Sequence, residues 1–471
     1  MKPLLLFVTA LSFIASCTSK ESVNGTWESI GCGWILQIKD STEYTFYDET
    51  SLSCLPSQQG DLSDLKTSLS LKNDTLSLLK GVITYRFIRA QQLPKLCCKD
   101  IPENKKGDPV YNFEVFAETV KEHYVFMDLN HINWPELLAQ QKSKLSNSSS
   151  NADLYLTIEE TLGKLNDNHA YIEASDAVAE SIEKLSAEKE ASSGDISLPE
   201  YGDFQVADKV VENHLVENMT KDSWLINWGK LTNDIGYIQV KAMWLYADLN
   251  IPKDLIDELG FVDAYVEIFN KMYEGEYIEK EVQAVSKIMD NVMSDLSDMK
   301  SIVIDVRFNG GGQDAVSFEI LRRFIPQKLQ VATEKLRAGN GFSPTLSLYI
   351  QGTDKAYTKP VYVLTSQQSS SAAESFAIAT LSMKNVKRIG SATDGAISTA
   401  LEKTLPNGWA FSISNEVFMD NQGKSYENTG IPVDFELNYP DDRQTFFRSV
   451  VDNLPGDKNN ILKAIDALNN E

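Results

Sequence analysis

The hydrophobic period of the chain changes along its length, and each change restricts the architecture the chain can adopt. From Gly25 to about Ile88 apolar and polar residues alternate, as in Trp34-Ile35-Leu36-Gln37-Ile38, Tyr44-Thr45-Phe46-Tyr47 and Val82-Ile83-Thr84-Tyr85-Arg86-Phe87, between clusters of Gly, Ser and Asp. That alternation predicts short strands with one buried face. Beyond a Pro/Lys/Gly-rich linker near 102–109 the period lengthens. Phe113, Phe116, Ala117, Val120 and Tyr124 form one helical stripe, Leu154, Leu156, Ile158, Leu162 and Leu165 another, and 146–151 is a polar loop between them. The acidic, Ser-rich stretch from about Asp176 to Tyr201 carries few large apolar residues and reads as a lid or mobile surface. Apolar runs at 235–240, 301–306 and 361–364 then predict buried strands, with helices near 278–299 and 372–383. Pro406-Asn407-Gly408 between 400–404 and 409–414 is a hairpin signal, and a last helix is expected around 459–468. No repeat of fixed period is present. The expected division is residues 17–100 as a small β-rich domain, 108–175 as a helical domain, 176–230 as an acidic linker or lid, 231–450 as an α/β core and 451–471 as a C-terminal helix.

The 471 residues, 42% hydrophobic and 24% charged, are an ordinary globular composition with ample chain for a core. Sixty-seven acidic residues against 44 basic ones give a net charge of −23, which repels phosphate backbones and argues against a nucleic-acid partner. Met1-Lys2-Pro3 followed by the apolar run Leu4 to Ala15 has the form of an export signal, too short to span a bilayer. Ile14-Ala15-Ser16-Cys17 resembles the bacterial lipobox, which predicts a signal peptide over 1–16 and lipid on Cys17. A lipid-anchored protein of the bacterial cell envelope, periplasmic or surface-exposed, is the corresponding expectation. Export allows disulfides, and Cys32, Cys54, Cys97 and Cys98 permit three connectivities. Adjacent Cys97 and Cys98 bond to each other only with strain, so both are expected to reach back to Cys32 and Cys54. His123, His131, His169 and His214 are scattered and no zinc spacing occurs, so neither a metal nor another cofactor is expected. Asn24-Gly25-Thr26-Trp27 looks like the start of lipocalin-like barrels, with a structural or substrate-positioning module as the plainer reading.

Two turns carry candidate chemistry. Leu364 to Phe376 reads as a buried strand, a polar turn and an apolar helix, with Ser371 at the helix start, where free N–H groups and the positive dipole end favour a developing anion. Ser371-Ala372-Ala373-Glu374 is equally a capping box with no chemistry implied. Asp305-Val306-Arg307-Phe308-Asn309-Gly310-Gly311-Gly312 is a Gly-rich turn after an apolar strand, whose backbone can approach a ligand and offer N–H groups, or can be a plain tight turn. It fits neither nucleotide-binding glycine pattern.

Together these turns resemble the tail-specific (C-terminal processing) serine peptidase family, where a strand ending in Asp-x-Arg-x-Asn-Gly-Gly-Gly precedes a Ser-Ala-x-Glu turn. Asn166-Asp167-Asn168-His169 is similar to the family's Leu-x-Asp-x-His segment. Ile389 to Gly395 matches its Gly-x-x-Thr-x-Gly turn, and Glu427-Asn428-Thr429-Gly430-Ile431-Pro432-Val433-Asp434 matches its Glu-x-x-Gly-Ile-x-x-Asp segment. The resemblance spans roughly Phe113 to Pro440, poorly over 171–230. The lysine of the Ser-Lys branch is replaced by Ala396, with Lys403 offset, whereas His169 stands where the tricorn-like branch has its histidine. Asn168 replaces that branch's serine.

The resemblance implies a crotonase/protease-like β-α superhelix in the α/β class and a serine endopeptidase acting on polypeptides. Ser371 is then the nucleophile, His169 the general base, Gly310 and Ala372 the oxyanion N–H donors, and Glu427 a residue that holds or polarises the site. Asn168 is a candidate for orienting the imidazole. A catalytically silent module binding an apolar ligand or a peptide on the same fold is the alternative. No Gly-x-Ser-x-Gly elbow surrounds Ser371, which argues against an α/β-hydrolase esterase. The stretch between His169 and Ile235 lacks the strand spacing of a PDZ domain, so recognition of free C-termini is not expected.

Overall fold

The computed structural model describes residues 22–470 apart from 66, 176, 180 and 183–199; the expected signal peptide and Cys17 lie outside the described residues. The alternating segment folds as a seven-stranded antiparallel sheet. Gly25–Ser29 lies at its centre, paired with Trp34–Lys39 on one side and Ile83–Ala90 on the other. The edges are Cys54–Asp61 and Leu69–Lys72, and among the described residues no ladder joins them, so the sheet is open rather than a lipocalin-like closed barrel. Trp27, Leu36, Leu76 and Phe87 are buried on its inner face, as the period of two requires.

The helical stripe forms as Pro109–His123, Trp134–Lys142 and Asn151–Gly163. Asp108 caps the first by accepting the Val110 N–H, and Ser150 with Asp153 makes a capping box on the third. Phe113, Phe116 and Val120 pack against Leu154, Ile158 and Leu162 in one core. Leu156, expected on that stripe, is exposed, because at about 100° per residue it points away from Leu154 and Ile158. The chain leaves this unit through the turn bearing His169 and pairs Tyr171–Glu173 with Ala410–Ser414, the second arm of the hairpin around Asn407.

A second seven-stranded sheet forms the α/β core. Ile235–Val240, Ser301–Asp305, Val361–Thr365 and Val386–Gly390 are parallel neighbours at its middle. Every residue of Ser301–Asp305 and Val361–Thr365 is buried, as sheets covered on both faces demand. Ile302 and Ile304 face one layer with Val285, Met289 and Phe376, while Val303 and Leu364 face another with Val206, Phe446 and Ile461. The expected linker over 176–230 is partly core. Asp203–His214 is an amphipathic helix packed under the sheet, and Glu217–Asn218 and Ile226–Lys230 extend the sheet's edge. Its small apolar residues, Val206, Ala207, Val210 and Val211, bury completely or nearly so without giving the stretch a strongly apolar composition. Two helices, Arg443–Val451 and Leu454–Asn469, close the chain where one was expected.

One disulfide joins Cys54 to Cys97 and ties an edge strand to the segment that follows the sheet. The expected partner bond from Cys32 to Cys98 is absent. Cys32 is turned into the core, its thiol 3.5 Å from Asn415 Oδ1 and pushed up in pKa by burial, whereas Cys98 is exposed.

The Asp-x-Arg part of the Gly-rich turn is a buried ion cluster. Arg307, with no exposed surface, bonds Asp305 at 2.7 Å and Asp457 of the last helix at 2.9 Å, and donates to Tyr439 Oη at 2.7 Å. His214 Nε2 meets the same Asp457 at 2.9 Å, and Arg307 chiefly holds that carboxyl down at about 2 against the desolvation that would raise it. Removing one member leaves buried charges uncompensated. Arg307→Ala is expected to lower unfolding stability by about 3–5 kcal/mol in a urea titration, and an unchanged midpoint contradicts this reading of the cluster.

Candidate active site

In-register pairing of Ser301–Asp305 with Val361–Thr365 brings the Gly-rich turn and the Ser371 turn together at the carboxyl ends of adjacent strands. Asn309 joins them. Its carbonyl accepts the Ser370 N–H at 3.1 Å, and its side chain accepts the Gly311 N–H at 2.9 Å and donates to Val240 O at 3.0 Å. Gly311 has φ +107, and a Cβ there would lie 2.7 Å from Ser371 Cβ and 2.8 Å from Ser370 O, so only glycine allows this approach. The N–H groups of Gly310 and Ala372 donate to no described group. Ala372 opens the helix Ala372–Thr380, and its carbonyl accepts the Ser317 hydroxyl at 2.6 Å.

Ser371 has φ 54 and ψ −121, a conformation that non-glycine residues adopt at a cost of about 1–3 kcal/mol and that is concentrated at functional sites. Ser371 and Glu374 stand in the capping-box arrangement, but the Ser371 hydroxyl makes no hydrogen bond to the helix. Glu374 accepts the Ser371 N–H at 3.2 Å, but its own N–H donates to the Ser371 carbonyl at 2.7 Å, leaving the hydroxyl free of the helix. That hydroxyl lies 3.3 Å from His169 Nε2. The two side chains come from separate units and meet at the loose end of hydrogen-bond range, as in an empty site. Burial pushes the His169 pKa down, against the upward pull of Asp167 and Asp394, so the imidazole is neutral at pH 7. Its Nδ1 has no partner among the described residues.

The carboxylates around the dyad are committed elsewhere. Asp167 Oδ1 accepts the His169 backbone N–H at 2.9 Å and the Ser414 hydroxyl at 3.0 Å, anchoring the histidine turn. Asn168 does not touch the imidazole; its amide donates to Asp394 at 3.0 Å. Glu374 accepts the Thr393 hydroxyl and the Gly395 and Ala396 N–H groups at 2.7, 2.7 and 2.8 Å, pinning the Thr-x-Gly turn to the nucleophile helix. Glu427 accepts the Ile397 and Ser398 N–H groups at 3.1 and 3.2 Å, and so holds the next stretch of that loop rather than His169. Burial raises both Glu374 and Glu427 to about 8 despite these donors. Sequence reasoning assigned no site role to Asp167 or Asp394 and read Glu374 only as a cap, although all three stand inside the recognised motifs. Lys403 is turned away, paired with Asp48 at 2.8 Å. His123, His131 and His214 stand apart from Ser371, His214 in the ion cluster below the sheet.

A cavity of about 550 Å³ opens beside Gly310 and Ser370, large enough for a peptide segment, with Asp203, Asp394, Asp441 and Asp442 among its walls and Arg443 as its one basic residue. Among the described residues no group of three His, Cys, Asp or Glu side chains is placed to hold a metal.

A free serine hydroxyl at a helix start facing a neutral imidazole, on this α/β fold, defines a serine-type peptidase. Residues 234–437 match the model of peptidase family S41. No curated protein matches the chain. Among solved structures, a protein from Parabacteroides merdae described as a peptidase aligns at 18% identity and a TM-score of 0.51, covering 74% of this chain and 96% of its own. Mature CPAF aligns at 12% identity and a TM-score of 0.51, covering 77% and 98%. At these identities the likeness is one of fold.

Gly311→Ala is expected to shift the Ser371 turn and cut the rate of active-serine modification by about 10²-fold, and a rate within twofold of the parent contradicts the close approach. Because Glu427 is raised in the folded protein, its contribution to stability is present below about pH 4.5 and is lost as pH rises through about 8. Melting curves between pH 6 and 9 should therefore fall less steeply for Glu427→Gln than for the parent; parallel slopes contradict the raised pKa.

Proposed function

We propose that the protein is an exported, lipid-anchored serine endopeptidase that cleaves polypeptides through an acyl-enzyme on Ser371, with His169 as general base. The observation that carries this reading is the 3.3 Å contact between His169 Nε2 and a Ser371 hydroxyl left free by its own helix. Neutral His169 takes the Ser371 proton as Oγ attacks the scissile carbonyl carbon, and the carbonyl π pair moves to oxygen. The unengaged N–H groups of Gly310 and Ala372, the latter at the positive end of a helix, donate to that oxyanion. Collapse of the intermediate breaks the C–N bond, and the imidazolium returns its proton to the leaving amine. Water then attacks the acyl-enzyme by the same route. Glu427 and Glu374 act at one remove, by fixing the loop 393–398 against the nucleophile helix. The apolar run 4–15 and the Cys17 that follows it support export and lipid attachment in a bacterial envelope, and the net charge of −23 supports a protein that does not bind nucleic acid.

Intact-mass labelling of the signal-free protein with a fluorophosphonate tests the chemistry. One adduct is expected on the parent, none on Ser371→Ala, and a rate reduced by about 10²–10⁴ on His169→Ala. Ser371→Ala should keep its melting temperature, because the hydroxyl does not cap the helix. A folded parent that takes no label contradicts the peptidase reading and favours the silent binding module. In the full chain expressed in bacteria, Cys17→Ala should move the protein from the membrane to the soluble fraction; retention in the membrane contradicts the anchor.

A further inference from the structure

Asp394 stands where the two halves of the site meet. Its Oδ2 accepts the Asn168 side-chain N–H at 3.0 Å and the Ser370 hydroxyl at 2.7 Å. These two donors are the residues immediately before His169 and Ser371. The histidine turn belongs to the helical unit and the serine turn to the α/β core. Apart from the 3.3 Å contact of the dyad itself, this carboxylate is the only hydrogen-bonded link between the two turns among the described residues. Asp394 is held from its own side by its backbone N–H, which donates to Ser369 O at 3.1 Å.

Among the described residues no carboxylate bonds the imidazole ring. Nδ1 has no partner, Asp167 is occupied by backbone and by Ser414, and Glu427 by two N–H groups of its loop. Proton transfer nevertheless creates an imidazolium in a largely desolvated place, which requires negative charge nearby. The charges that face His169 are Asp167 on its own turn and Asp394 on the Thr-x-Gly turn. Glu427 lines a cavity of about 170 Å³ together with Asp167 and Asp394, and Glu374 is on the nucleophile helix. Of these, Asp394 alone also touches the residue beside the nucleophile.

We propose that Asp394 is the positioning residue of the dyad, clamping the His169 turn to the Ser371 turn and supplying negative charge for the imidazolium that forms. Asp394 takes no proton in the step: the proton passes from Ser371 Oγ to His169 Nε2 as the Oγ–carbon bond forms. The inference rests on the Ser371–His169 reading above.

Two variants separate the clamp from the charge. Asp394→Asn keeps an acceptor oxygen for both donors and removes the charge, whereas Asn168→Ala, at an exposed residue, removes one arm of the clamp and keeps the charge. The rate of fluorophosphonate labelling is measured from pH 5 to 9 for the parent, both variants and His169→Ala. Asp394 raises the proton affinity of His169, so its neutralisation should move the acid limb of the profile to lower pH, by about half a unit to one unit. Asn168→Ala should leave that limb in place and lower the plateau by about tenfold. A purely structural role would lower plateaus without moving the limb. Labelling that depends on His169 but keeps both its limb and its plateau in Asp394→Asn overturns the proposal and leaves the peptidase reading intact. Should Asp394→Asn fail to fold, Asn168→Ala decides: a reduced plateau supports the clamp and an unchanged one overturns it. Labelling of the parent that is indifferent to His169 overturns the dyad, and this inference with it.

Discussion

The parallel, in-register ladder between Ser301–Asp305 and Val361–Thr365 is the constraint on which the site depends. Strands buried on both faces cannot slip by one residue without moving every side chain into the opposite packed layer, where it does not fit, so the register is fixed by packing. Once it is fixed, the segments leaving the two strands must emerge side by side. Asn309 then ties one turn to the other, and Gly311 lets their backbones approach to a distance that any side chain would forbid. Arg307, two residues earlier, anchors the same turn from below to Asp457 in the last helix. The Gly-rich motif thus combines a buried electrostatic anchor with a bare backbone surface.

His169 reaches this place from outside the core, and its position is over-determined. Tyr171–Glu173 pairs with Ala410–Ser414, Asp167 bonds Ser414, and Asn168 bonds Asp394. Each attachment leads to a loop or strand of the core that follows the nucleophile in sequence, so the base is placed by elements that also fold around Ser371. The positive φ of Ser371 is affordable in such a setting, because Glu374 and the Ala396 carbonyl both accept the Ser371 N–H. The same arrangement leaves the hydroxyl with His169 as its one hydrogen-bond partner among the described residues.

Period and motif carried much of this in the sequence. Alternation marked the β-rich unit, fully apolar runs marked the central strands, and the motifs named Ser371 and His169, which the fold brings to 3.3 Å. Features fixed by distant contacts were not legible. Leu156 is a different case, since the 100° helical period already excludes it from the stripe of Leu154 and Ile158. Ile226–Lys230 is a strand because Ile235–Val240 pairs with it, and its own composition is mixed. Cys32 was expected to bond Cys97 or Cys98, but whether a thiol faces the core or a partner cysteine depends on the sheet around it. Asp394 and Asp167 looked like turn residues, since their importance lies in partners some 226 and 247 positions away.

The central claim is that four groups converge on one reacting centre: the Ser371 hydroxyl, the His169 imidazole and the N–H groups of Gly310 and Ala372. A crystal structure of the fluorophosphonate adduct measures that convergence directly. Phosphorus bonded to Ser371 Oγ is predicted, with its phosphoryl oxygen about 2.7–3.1 Å from both N–H nitrogens and His169 Nε2 still within reach of Oγ. An adduct on another residue, or a phosphoryl oxygen turned away from both N–H groups, would contradict it.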